Sequence, residues 1–162
     1  MTAHGHDLAA VGLVISAHTF GMYALSPVSG RLADRFGSPA VIVAGLLVTG
    51  GAAILSALAP PDGGILLALA LFLLGFGWSL GFVAGSALVT GGLTLRERTR
   101  LQGWTDALIW GSAAVASLGS GVLVATAGFA ALGLLGAAAM IVPAWIVVAR
   151  RGHLVAVEMP GS

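Results

Sequence analysis

Two ionisable side chains, His18 and Asp106, stand inside long apolar stretches of this 162-residue chain. A charge at membrane depth is costly, so such a residue is read first as a functional candidate. Asp106 lies about six residues into its apolar run, ~9 Å past the start of a helix. There a carboxylate could carry a proton or bind a cation in a cavity that water reaches. It could equally sit in the headgroup zone near Arg100, or bond to Gln102 one turn away. Imidazole is the side chain that changes charge near neutral pH. His18 therefore either lines a cavity or is a neutral histidine bonded to a neighbouring helix. His4, His6 and Asp7 resemble a metal site on paper, but two histidines in a short terminus are a weak ligand set, and no metal is expected. Trp78, Trp104 and Trp110 read as packing residues or interface anchors. No nucleophile–base arrangement, paired carboxylate or strand-borne Gly-rich loop is present, so neither enzymatic activity nor a cofactor is expected.

The elements that must position these groups are set by composition. Hydrophobic residues make up 58% of the chain and charged residues 8%, against roughly 25% in a soluble domain. Lipid must therefore be the solvent for most of the surface. The net charge of +1 gives no reason to expect a nucleic-acid partner, and the absence of cysteine excludes a disulfide scaffold. The expected fold is all-α and integral to the membrane. A helix needs roughly 20 residues to cross the hydrocarbon core, and five runs are long enough. They cover about residues 8–30, 39–59, 65–93, 101–126 and 129–149, a transmembrane bundle over 1–151 with a tail over 152–162. Pro27 interrupts the first run near its end, where Tyr23 and Ser26 could re-satisfy backbone groups freed by the proline. Pro60-Pro61-Asp62-Gly63-Gly64 marks a turn, and the short break at Ala127-Gly128 implies a tight antiparallel hairpin.

All seven basic residues are arginines: Arg31, Arg35, Arg96, Arg98, Arg100, Arg150 and Arg151. If the chain crosses at every run, all seven fall on one face, and the opposite turns hold none. The positive-inside rule makes the arginine face cytoplasmic and puts the N-terminus outside the cell membrane. No targeting segment precedes the first run. An odd helix count beginning outside is what a longer polytopic protein leaves when its front is missing, so the sequence reads as truncated. Gly77, Gly81 and Gly85 recur every fourth residue, as do Gly45, Thr49, Ala53 and Ala57, and Ala113, Ser117 and Gly121. Small residues at that spacing let membrane helices approach closely. The Gly77–Gly85 stripe is expected to be a helix contact.

Between the first two runs stands Gly30-Arg31-Leu32-Ala33-Asp34-Arg35-Phe36-Gly37. It resembles the signature G-x-L-A-D-R-x-G-[RK]-[RK] of the major facilitator superfamily, with Ser38 and Pro39 in place of the basic pair. In that family the motif is a cytoplasmic loop acting as a latch between two six-helix halves. The resemblance implies that Gly30, Arg31, Asp34, Arg35 and Gly37 form the latch here. The segment from Phe72 to Ser86 is similar to the tenth helix of bacterial members, so the five runs read as helices eight to twelve, an incomplete C-terminal half. The implied activity is secondary transport of a small solute, with proton-coupled efflux of a drug or metabolite as one form it takes in the family. Besides the lipid bilayer, the implied partner is the missing N-terminal half or another membrane subunit. An accessory membrane protein without transport of its own is the alternative.

Overall fold

A computed structural model of the chain describes residues 8–60, 64–152 and 154. His4, His6, Asp7, the centre of the Pro60–Gly64 turn and most of the tail lie outside the described residues. The described chain is helical throughout: α1 Leu8–Tyr23, α2 Ser26–Phe36, α3 Ser38–Ala57, α4 Gly64–Thr90, α5 Leu95–Ala139 and α6 Ile141–Ala149.

Two of the breaks are made by prolines. A proline has no N–H and its ring crowds the carbonyl four residues back. Pro27 faces the Tyr23 carbonyl in this way and Pro143 that of Ala139, and α1 and α5 end at those two residues. The fifth run is therefore broken at Met140 rather than continuous over 129–149. Ser26 Oγ donates to the Tyr23 carbonyl at 2.8 Å, supplying the donor that Pro27 lacks. Pro39, by contrast, lies in the first turn of α3, where its missing N–H costs nothing.

The sequence motif expected to be a loop is mostly helix. α2 runs to Phe36, because Leu32 and Ala33 bury one face while Arg31, Asp34 and Arg35 occupy the other. The loop shrinks to Gly37, whose backbone (φ 83°, ψ 144°) only glycine adopts cheaply. Likewise Arg96, Arg98 and Arg100 lie not in a loop but in the first turns of α5. Thr94 caps that helix: its side chain and that of Glu97 bond reciprocally to each other's backbone N–H. The Thr94 hydroxyl, and then the Thr94 N–H, hold the exposed Glu97 carboxyl below the usual carboxylate range. The cap is therefore intact above pH 4.5 and is lost as pH falls through the lowered folded value. Replacing Thr94 with valine should raise the Glu97 titration midpoint toward 4.5, as read by carboxyl NMR shifts; an unmoved midpoint would refute this cause.

Contacts between elements give the direction of each helix. His18, Gly21 and Ser29 meet Leu71, Phe72 and Ser79 in order, so α1 and α2 run parallel to α4. Gly45 meets Gly77 and Gly81, and Thr49 meets Gly77, so α3 runs antiparallel to α4. The buried cluster of Ala33, Val41, Leu80 and Ala84 joins α2, α3 and α4. At Gly128 (φ 82°, ψ 170°) α5 reverses. Its first arm, 95–127, runs antiparallel to α4, with Arg98 at Thr90 and Trp110 at Trp78. Its second arm lies antiparallel to α3: Gly133 meets Ala53 and Ala57, Ala137 and Met140 meet Gly50, and Val147 in α6 reaches Pro39. Four stretches are long and apolar enough to cross a membrane, Val11–Phe36, Ser38–Ala57, Gly64–Thr90 and Leu95–Ala149. The last contains the reversal and traverses the bundle twice.

Candidate functional site

The seven arginines gather at one end of this bundle. Arg31 and Arg35 end α2, Arg98 Nη2 donates to the Thr90 carbonyl at the close of α4, and Arg151 lies beside Pro39 at the start of α3. The motif face of α2 is fixed from behind. Ser29 is wholly buried, donates to the Leu25 carbonyl at 3.3 Å and shares a 3.1 Å hydrogen bond with the buried Ser79 hydroxyl. Ala33 seats the next turn against Leu80 and Ala84. Arg31, Asp34 and Arg35 consequently point away from the bundle and are exposed. The Arg35 guanidinium lies 5.3 Å from the Phe36 ring centre, a cation–π contact at the tip of the helix. What this face offers chemically is one acceptor carboxylate between two guanidinium forks, held rigid and turned outward. Gly37 makes the turn, whereas a Cβ on Gly30 would meet nothing within 4 Å, so close approach is not its role within this chain.

The two intramembrane candidates have separate surroundings. His18 Nδ1 donates to the Leu71 carbonyl at 2.8 Å, tying α1 to α4. Asp106 is exposed on the first arm of α5, beyond the reach of that pair. Within the glycine stripe, Gly77 is pressed on Gly45 and Thr49: an added Cβ would lie 2.9 Å from the Gly45 carbonyl oxygen. A Cβ on Gly81 or Gly85 would be free; both line a groove of about 170 Å³ between α4 and the first arm, closed by Thr105 and Ile109. Sequence reasoning missed the tightest crossing. A Cβ on Gly21 would lie 2.5 Å from the Phe72 carbonyl oxygen, and one on Gly75 would strike the His18 carbonyl. Each has a small residue four positions away, Ala17 for Gly21 and Ser79 for Gly75, the pair spacing that could have marked them.

Four aromatic side chains form a row across three helices. Trp78 stacks on Phe82 at 4.6 Å and 10°, meets Tyr23 edge-on at 6.4 Å, and lies 6.4 Å from Trp110. Trp78 stands at the middle of α4, and Trp110 at the middle of the first arm of α5. Both pack against other rings, one of the two roles that sequence reasoning gave them.

Comparison with known proteins follows this geometry. The family model of the Major Facilitator Superfamily matches residues 1–158. The MFS-type transporter YdeG of Bacillus subtilis is 40% identical over 153 residues, covering 94% of this chain and 36% of the relative. YddS, an MFS-type transporter of the same organism, is 39% identical over 137 residues, 85% of this chain and 31% of the relative. The riboflavin transporter RfnT of Brucella anthropi is 36% identical over 129 residues, 80% of this chain and 32% of its own. The chain thus spans about a third of the length of the curated relatives it matches. No solved structure matches it.

Proposed function

Because the chain belongs to the Major Facilitator Superfamily, we propose that it is the C-terminal portion of a secondary transporter that moves a small solute by alternating access. As a multi-pass membrane protein it sits in the lipid bilayer. Its arginine end faces the cytoplasm, since cytoplasmic loops hold the excess of basic residues. The observation that carries the reading is the α2 face: Asp34 between Arg31 and Arg35, exposed and held rigid by Ser29 and Ala33. In a two-half transporter this face latches to the other half in one state and releases it in the other. A charge-assisted hydrogen bond to Asp34 would be lost at each release.

On this reading the chain alone does not transport, because alternating access needs two halves that rock against each other. Vesicles loaded with the purified chain should take up no more solute than empty vesicles. The activity is tested by grafting the chain in place of the matching portion of RfnT and measuring riboflavin uptake by cells. Uptake above the vector control is expected, and none with a folded chimera would favour an accessory protein. Within an active chimera, Asp34→Asn should lower the initial rate by about fivefold or more, the range of typical coupling energies. An unchanged rate would remove Asp34 from the latch.

A further inference from the structure

We infer that the aromatic row Tyr23–Trp78–Phe82–Trp110, together with Asp106, binds a planar aromatic solute that presents a cationic edge to the carboxylate. The inference rests on the transport reading and names its substrate class.

Depth supports it first. Tryptophan in membrane proteins concentrates at the two interfaces, where its N–H stays wet. Trp78 and Trp110 instead stand at the middle of their spans, and Tyr23 sits at the proline-made break between α1 and α2. Transporter sites lie near the midplane beside such discontinuous helices.

The second support is the side of the helix on which the row opens. Successive helix residues are about 100° apart. On the first arm of α5 this puts Thr99, Gln102, Asp106, Ala113, Ser117 and Ser120 on one face, with Trp110 beside them. Leu108, Val115, Leu118 and Val122 occupy the opposite, lipid-type face and are 67–79% exposed. Asp106 and Trp110 are one turn apart, with Cβ atoms about 5–6 Å from each other. The row therefore opens on the polar side.

Third, the chemistry is self-consistent. Stacked and edge-on indoles present π faces that hold flat ring systems, and they attract cations. A carboxylate one turn away adds a charge partner for a protonated or quaternary ring nitrogen. The described residues of α1 and α4 supply no competing charge, since both helices lack Asp, Glu, Lys and Arg.

The test uses the full chain in lipid nanodiscs and reads the probe's own fluorescence anisotropy, so that loss of a tryptophan does not alter the signal. Ethidium, a planar aromatic cation, should bind saturably above empty nanodiscs, and excess tetraethylammonium, a cation without rings, should not displace it. Trp110→Leu should weaken ethidium about tenfold, a usual loss for one stacking ring. Asp106→Asn should weaken ethidium, whereas Asp106→Glu, which keeps the charge, should match the parent. Trp145→Leu, outside the row, should match the parent, and circular dichroism checks that each variant is folded. Equal ethidium affinity in the parent and in folded Trp110→Leu would overturn the proposal, as would displacement by tetraethylammonium. Riboflavin uptake by the RfnT chimera is independent of this binding. A working chimera with a failed row leaves transport standing, and the reverse leaves the row without the transporter.

Discussion

Replacing Gly75 with valine is expected to separate α1 from α4 and to destabilise the bundle by about 3 kcal/mol or more, the upper range for overpacking. An added Cβ at Gly75 would strike the His18 carbonyl and lie 3.1 Å from the Met22 nitrogen. These are backbone atoms, which no rotamer change moves aside. Gly21 makes the reciprocal approach to the Phe72 carbonyl, so the two helices cross on a glycine pair. The same closeness brings His18 Nδ1 to the Leu71 carbonyl and aligns Ser29 with Ser79. Separation thus costs two interhelical hydrogen bonds as well as the contact. Gly81→Ala is the matched comparison, since its Cβ would enter open space and should change stability by under about 0.5 kcal/mol. Thermal unfolding in micelles, followed by circular dichroism, reads both. Equal melting of the Gly75→Val variant and the parent would show that the crossing contributes nothing.

The second large effect is at Gly128. Its φ of 82° and ψ of 170° fall in a region that essentially only glycine occupies. Alanine there should cost about 1–3 kcal/mol. Relief is available on one side only: the second arm is packed on Ala53 and Ala57, while almost the whole first arm is exposed. Gly128→Ala should therefore swing the first arm away from α4 rather than unfold the chain. The sequence has no cysteine, so spin labels at introduced cysteines in place of Phe82 and Ile109, which line one groove, report that distance without background. An unchanged, narrow distance distribution in the Gly128→Ala variant would refute the account.

Much of this was legible in the residues, for physical reasons. Hydropathy and arginine placement exposed the membrane class and the hairpin at Gly128, because lipid and topology act on long, coarse patterns. The motif residues Asp34, Arg31 and Arg35 were marked by their resemblance to the facilitator signature rather than by charge pattern alone. The helical state of that stretch was not, because the amphipathic side of α2 needs the α3–α4 surface to bury Leu32 and Ala33. The Met140 break was overlooked, although Pro143 marks it as plainly as Pro27 marks the other. The aromatic row and the Gly21–Gly75 crossing were hidden for another reason. Each joins residues from different helices, and only helix direction and rotation bring Tyr23 or Gly21 to α4.

The reversal at Gly128 also bears on how the chain assembles. The second arm packs on α3, skipping α4 and the whole first arm that separates them in sequence. Closing that contact is non-local, and non-local contacts form slowly. During synthesis the first arm must enter the bilayer early and wait there nearly alone, stabilised by its own backbone bonds. The second arm then closes on α3, which was made well before it. Loss of the second arm together with α6 would leave α3 with a bare flank, and such a shortened chain should be cleared by membrane proteases rather than persist as a smaller bundle.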